Sequence, residues 1–314
     1  MELILFTVNI VSPVFLLIVV GAVLKKLKFI DDVFVSQSSK FVFNVSLPAL
    51  IFLKISTVSI EKSFNGKLIA ASLALVFVIA GISWFVSSAL KTVPKDKGVF
   101  IQGSYRSNFA IVGLALIANL IGSGYLGTAS LVLAFVMPLY NILAVVALTV
   151  PLNREKRLSV SHIIKDIATN PLILSAVVAA PFSIFHFEIG DALTKTLDYL
   201  GKISLPLALV GIGASLNFKS LKEASKLSFA SSFLKIVLFP ALAVLVGIFL
   251  GLDKESFTIY FILFASPTAI ASFIMANAMG GNSKLAGDII AITTLFSVLT
   301  LSAGIILLKA YGLI

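Results

Sequence analysis

Long apolar stretches with very few charged residues dominate this sequence, and they restrict the possible folds more than any other feature. Charged residues make up 12% of the 314 residues, and hydrophobic residues make up 59%. A soluble domain usually carries about 25% charged residues and keeps them on its surface. This chain has too little charge to cover a surface that faces water. We therefore expect a lipid bilayer to surround most of its exterior.

Helices, rather than a closed barrel of strands, are predicted for these apolar runs. Inside a bilayer every backbone polar group needs an internal hydrogen-bond partner, which leaves helices and closed barrels as spanning structures. A barrel would alternate apolar and polar residues over short segments, and these runs do not alternate. The sequence therefore predicts an all-α polytopic membrane protein. Ten transmembrane helices are predicted near residues 7–24, 34–53, 68–90, 98–119, 126–150, 168–185, 196–216, 227–250, 257–278 and 287–308.

Lysine and arginine are distributed unevenly among the segments that connect these spans, and cytoplasmic loops are usually the richer in them. With the amino terminus outside, the inner group is Lys25, Lys26, Lys28, Lys91, Lys95, Lys97, Arg154, Lys156, Arg157, Lys165, Lys219, Lys222, Lys226 and Lys284; the smaller outer group is Lys54, Lys62, Lys67, Lys195, Lys254 and Lys309. We therefore expect a multi-pass protein of the plasma membrane with both termini outside and residues 151–165 in the cytoplasm. This bias also explains the net charge of +10 without a nucleic acid as partner.

An internal repeat is visible when the two halves of the chain are compared at a fixed offset. Three pairs of short segments share an offset of 158 or 159 residues: 12–13 with 170–171, 46–48 with 204–206, and 107–111 with 266–270. Each half holds five spans, and an odd number makes the second half enter the membrane from the opposite side. The predicted organisation is a first inverted repeat over 1–150, a linker over 151–165 and a second repeat over 166–314. Inverted repeats of this kind are typical of secondary transporters, whose substrate sites lie near the bilayer midplane.

The fourth and ninth spans are the best candidates for that site. The centre of the fourth span, from Gln102 to Gly113, is polar and rich in small residues. In the ninth span, Pro267 lacks a backbone donor, so we expect the helix to break there. A broken helix exposes amides whose dipole favours an anion. The predicted substrate-contacting residues are Asn108, Arg106, Ser107, Ser266, Pro267, Thr268 and Asn141, and the predicted structural positions are Pro48, Pro206, Pro267 and Gly113.

Several of these residues have a second, purely structural interpretation. Asn108 contacts substrate or forms a hydrogen bond that joins two spans. Arg106 attracts an anionic substrate or extends to the cytoplasmic interface. Asn141 lines a cavity or bridges helices, and Lys235 in the eighth span is expected to extend to the interface. Pro48 and Pro206 are kink formers, and their matching positions suggest that both halves need the same bend.

Residues needed for several other kinds of chemistry are missing from the sequence. The chain contains no cysteine, and His162 and His186 lie in connecting segments, so neither a metal site nor another cofactor is expected. The chain lacks a His-Glu-x-x-His motif, a Gly-x-Ser-x-Gly motif and paired aspartates within a span, which argues against an enzyme.

The segments from Gln102 to Gly113 and from Ser266 to Ile270, together with Asn170-Pro171, resemble the auxin efflux carrier family. This family includes plant PIN carriers and bacterial permeases of the malate or malonate type. The resemblance covers nearly the whole chain. It implies a ten-span fold similar to bile-acid/sodium symporters, a scaffold of spans one, two, six and seven, a homodimer, and elevator-like alternating access. It also places Asn108 and Pro267 at the family's crossover positions. Plant PIN carriers have proline before that asparagine, whereas this chain has Ser107, so the fourth helix breaks without proline or breaks less.

A secondary carrier for a small organic anion, either a carboxylate or an auxin-like molecule, is the leading functional hypothesis. A sodium-coupled symporter of the bile-acid type is the alternative, and a channel or an intramembrane enzyme ranks lower. No acidic residue lies at the middle of a predicted span, so a proton or sodium site built on a deep carboxylate is not evident. Either H+ or Na+ remains a candidate coupling ion, since backbone carbonyls also bind Na+.

Overall fold

A computed structural model describes residues 2–57, 63–152, 168–216 and 224–314 of the chain. Helices account for most of these residues, and no β-strand occurs among them, so the all-α prediction is confirmed. Most of the predicted linker, and with it His162, Arg154, Lys156, Arg157 and Lys165, lies outside the described residues, as do Lys62, Lys219 and Lys222. The helices are α1 (Glu2–Lys26), α2 (Asp32–Phe41), α3 (Leu47–Ser56), α4 (Gly66–Ala89), α5 (Pro94–Tyr105), α6 (Leu114–Leu120), α7 (Leu126–Thr149), α8 (Pro171–Ile184), α9 (Asp191–Ser215), α10 (Lys226–Phe233), α11 (Phe239–Phe249), α12 (Lys254–Ala265), α13 (Ala271–Met279) and α14 (Ser283–Ala310).

Within the part of the chain that the structure describes, seven helical segments are long and apolar enough to cross a bilayer. They are Leu5–Lys26, Asp32–Ser56, Gly66–Ala89, Ser123–Leu152, Asp191–Ser215, Lys226–Phe249 and Ser283–Ala310. Large apolar side chains such as Phe77, Phe85 and Phe249 are exposed on their surfaces, as expected for helices that face lipid. These segments correspond to seven of the ten predicted spans.

The remaining three predicted spans are shorter or interrupted helices. Span 168–185 contains α8, which has 14 residues. Span 98–119 divides into α5 and the apolar segment Phe109–Leu120, and span 257–278 divides into α12 and α13. None of these three spans therefore contains, within the described residues, a continuous apolar helix long enough to cross a bilayer.

Two of the spans contain a π turn just before a proline. Residues Val42–Ser46 form such a turn before Pro48, and Leu234–Leu238 form another before Pro240. The wider turn accommodates the loss of the backbone hydrogen bond that proline cannot donate. Pro206, in contrast, lies inside the uninterrupted α-helix α9. The two prolines predicted to share one bend thus have different local structures, and Pro240 was not singled out from the sequence.

Helices α1 and α9 approach each other closely at two glycine residues. A β-carbon built on Gly213 would lie 1.8 Å from the carbonyl oxygen of Ile18, and one built on Gly21 would lie 2.0 Å from that of Val210. Small residues permit this close contact between membrane helices, where van der Waals packing drives association. Helix α3 packs against α8 and α9, so helices α1, α2, α3, α8 and α9 form one packed group.

Candidate functional site at two interrupted helices

The fourth predicted span leaves the helical conformation at its centre. Helix α5 ends at Tyr105, Arg106 has an extended backbone with φ −75° and ψ 127°, and a π turn begins at Phe109. The interruption forms without proline. Gly113 closes the π turn, and a β-carbon there would lie 2.3 Å from the Phe109 ring, so glycine makes room for that ring.

The ninth predicted span is interrupted around Pro267. Helix α12 ends at Ala265, Ser266 is extended with φ −61° and ψ 144°, and α13 begins at Ala271. Proline has no N–H to donate to the carbonyl one turn earlier, which accounts for an interruption at this position.

At the start of α12, the Asp253 carboxylate caps the helix by accepting a hydrogen bond from Ser256 N at 2.9 Å. Partial burial favours a higher pKa for Asp253, but hydrogen bonds from Ser256, from Glu255 and from its own backbone together lower this pKa below its usual value.

The two interruptions lie against each other. Ser107 and Thr268 pair as an isolated antiparallel bridge, and Asn108 N donates to Pro267 O at 2.8 Å. The Thr268 hydroxyl donates to the Gly103 carbonyl at 2.7 Å. The structure thus brings four of the predicted site residues together. Ser266 differs, because its hydroxyl donates to Ile262 O at 2.7 Å within its own helix.

A further contact at the crossing joins α5 to α13 and involves Gln102, which was not among the predicted site residues. Gln102 Nε2 donates to Ser272 O at 2.9 Å. Gln102 lies one turn before Arg106, on the same face of the chain. Its position within the polar centre of the fourth span was the available signal in the sequence.

Several buried polar atoms at this crossing have no partner within the described part of the chain. They include Gln102 Oε1, Ser107 Oγ and Ser272 Oγ. The side-chain amide of Asn108 also has no hydrogen bond to a described residue, although only 6% of the residue is exposed. Because Asn108 joins the two spans through its backbone N–H, its side chain is available for another contact. Buried polar groups without protein partners mark a place where a polar ligand can bind.

Arg106 lies at the same crossing and does not extend to the membrane interface. Only 5% of it is exposed, and Nη2 donates to Asn141 Oδ1 at 2.7 Å while Nη1 lies 2.7 Å from Met275 Sδ. The ion pairs Lys25–Asp32 and Lys202–Asp198 lie elsewhere and do not involve Arg106. The Arg106 guanidinium is thus a buried cation held by neutral groups.

Aromatic residues close one side of the Arg106 environment. The rings of Tyr105 and Tyr140 are 5.9 Å apart, and the Tyr105 hydroxyl donates to Tyr140 O at 3.4 Å. Tyr140 precedes Asn141 on α7, so this contact helps to hold the Asn141 amide against Arg106. No group of three or more His, Asp or Glu residues within the described ranges is arranged to hold a metal ion.

The position of Lys235 differs from the one predicted from the sequence. It was expected to extend to the interface, but it is 0% exposed and its ammonium donates to Phe264 O at 3.0 Å. Phe264 lies in the last turn of α12, just before the interruption. This contact could not be predicted from the sequence, because the acceptor is a backbone carbonyl.

An all-helical chain with several membrane-crossing segments and a polar crossing of two interrupted helices defines a multi-pass membrane protein. The resemblance noted in the sequence is confirmed by a family comparison. The chain belongs to the auxin efflux carrier-like family described as "Membrane transport protein", which matches residues 6–305.

Individual relatives are also similar over most of their length. A Rhizobium meliloti (strain 1021) protein named "Putative malonate transporter" is 25% identical over 311 residues, covering 97% of both chains. An uncharacterized transporter of Methanocaldococcus jannaschii is 22% identical, covering 94% of this chain and 96% of its own. An uncharacterized transporter of Escherichia coli (strain K12) is 24% identical, covering 83% of this chain and 85% of its own. This protein is therefore a membrane transporter.

Proposed function

We propose that this protein is a secondary transporter that carries a small carboxylate across the plasma membrane by elevator-type alternating access. The observation that carries the proposal is the buried Arg106 guanidinium at the crossing, held by neutral groups and two residues before Asn108 in the sequence. A cation that has left water needs a counter-charge or a wet cavity. A carboxylate supplies that charge and accepts hydrogen bonds from both groups.

The fold proposed for this function has ten spans arranged as two inverted repeats of five. The interrupted helix is the fourth predicted span of each half, and the paired residues come from the segments that share the 159-residue offset. The antiparallel direction of the bridge between Ser107 and Thr268 agrees with halves of opposite orientation. Two similar halves of opposite orientation can adopt two near-equivalent states, each open to one side.

The proposed substrate class is a short dicarboxylate, with malonate as the first compound to test. The similarity to the Rhizobium meliloti protein and its printed name support this choice. One carboxylate would pair with Arg106 and hydrogen-bond to the Asn108 amide. The unpartnered Ser107 and Ser272 hydroxyls and the Gln102 side chain would lie near the rest of the molecule.

A thermal-shift experiment tests this assignment. Malonate is expected to raise the melting temperature of the purified protein, because a ligand that binds only the folded state stabilises it by about 2.7 kcal/mol at 100 times Kd. Its neutral analogue malonamide is expected to have no effect. Arg106→Gln should lose the malonate shift, whereas Lys67→Gln, at an exposed lysine, should retain it. An equal shift in wild type and Arg106→Gln would place the anion elsewhere.

A further inference from the structure

Lys235 occupies a place in the membrane interior that the proposed carboxylate site does not use. It lies in the π turn Leu234–Leu238, is fully buried, and donates from Nζ to Phe264 O at 3.0 Å. Within the described ranges no carboxylate is paired with it. A lysine that is buried in an apolar protein interior needs a compensating negative charge or dipole.

The carboxyl end of α12 supplies that negative end. In a continuous helix, Phe264 O would accept from Thr268 N, but Thr268 N donates to Thr293 Oγ1 at 3.1 Å. The carbonyl of Leu263 would accept from residue 267, which is proline and has no N–H. Helix α12 therefore ends in carbonyls without helical donors, where the helix dipole is negative.

The same segment of the eighth span also contacts the other interrupted helix. One turn before Lys235, the Ser231 hydroxyl lies 2.9 Å from that of Ser104 and donates to Phe100 O at 3.1 Å. Ser104 belongs to the last turn of α5, just before its interruption. Residues 231–235 thus contact the carboxyl-terminal turns of both helices that end at the crossing.

We propose that the Lys235 ammonium acts as a built-in monovalent cation at the carboxyl end of α12. Transporters with broken helices use such helix ends and unwound carbonyls to coordinate a coupling Na+. Here the covalently attached ammonium fills that place, so the helix end needs no Na+ from solution. Lys235 is a positioning residue, because it contacts the interrupted helix and not the proposed carboxylate. Only the transport measurement below rests on the proposed function.

Replacement of the covalent cation by a soluble one tests this proposal. The Lys235→Ala protein is purified in choline chloride, and its melting temperature is measured with added methylammonium or Na+ at constant ionic strength. The variant is expected to melt below wild type and to regain part of the difference with methylammonium. Wild type, and the Lys40→Ala control at an exposed lysine, should not respond. Malonate uptake by Lys235→Ala should fall about ten-fold or more, as for loss of a buried charged partner.

The outcomes separate this proposal from the proposed function. A rise in the wild-type melting temperature or uptake on exchange of choline for Na+ would overturn the role of Lys235. The same conclusion would follow if Lys235→Ala melted and transported like wild type, or if neither cation changed its melting temperature. If Lys235→Ala does not fold, Lys235→Arg should fold and Lys235→Met should not. Equal behaviour of these two variants would also overturn the proposed role of Lys235. Rescue by methylammonium without any malonate binding would reject the carboxylate substrate alone.

Discussion

Replacing Asn108 with alanine is expected to reduce malonate uptake into proteoliposomes strongly while the protein still folds. The Asn108 side chain has no hydrogen bond to a described residue, and its backbone N–H forms the contact to Pro267 O. Alanine keeps that backbone contact and removes only the amide that faces the proposed substrate. A hydrogen bond to a charged group contributes about 1.5–3 kcal/mol, so the expected loss of uptake is roughly 10- to 100-fold.

The matched control is Asn44→Ala, which removes an exposed asparagine from the second span. It should leave uptake unchanged. The melting temperatures of both variants without ligand should remain close to that of wild type. Normal transport by Asn108→Ala would show that the amide does not contact the substrate. A large loss of stability would instead assign Asn108 to the packing of the two spans.

Gly213→Ala is expected to destabilise the protein more than a glycine-to-alanine substitution at any other helical position. The added β-carbon would lie 1.8 Å from the Ile18 carbonyl oxygen, which belongs to a helix backbone and cannot rotate away. Helices α1 and α9 must separate to accept it. Overpacking costs about 1–3 kcal/mol and occasionally more, and this contact belongs at or above the upper end of that range.

Gly81→Ala is the matched control, because a β-carbon on Gly81 would have no atom within 4 Å. It adds the same methyl group to an exposed position of α4. Alanine is favoured over glycine in a helix by about 0.5–1 kcal/mol, so this variant should melt at or slightly above the wild-type temperature. Thermal unfolding in detergent measures both variants. Equal melting temperatures for Gly213→Ala and wild type would contradict the close α1–α9 packing.

The sequence was sufficient to predict the helical membrane class and the residues that meet at the interruptions. The signals were strong because they are local: apolar runs of a fixed length, proline at position 267, and a polar centre in the fourth span. The internal repeat relates residues 107–111 to 266–270 from the sequence alone. Ser107, Asn108, Pro267 and Thr268 do lie together.

The contacts that depend on tertiary structure could not be predicted in the same way. Lys235 was judged by its depth alone, but its acceptor is a carbonyl 29 residues further along the chain. That carbonyl lacks its helical donor because the chain leaves the helix at Ser266, and Thr268 N donates to Thr293 Oγ1 instead. Gly21 and Gly213 showed no special signal among the 20 glycines, since their role appears only when α1 meets α9. The different surroundings of Pro48 and Pro206 likewise depend on neighbouring turns.

Labelling of a single cysteine at the crossing tests the central claim, that this crossing binds a carboxylate and opens to either side. The chain contains no cysteine, and the Ser107 hydroxyl is buried without a partner among the described residues. Ser107→Cys therefore places one thiol of similar size at the proposed site. The rate of reaction with a membrane-impermeant maleimide is measured from each side of oriented vesicles, with and without malonate. We expect labelling from both sides and slower labelling with malonate. A thiol that reacts from one side only, or at a rate that malonate does not change, would contradict the proposal.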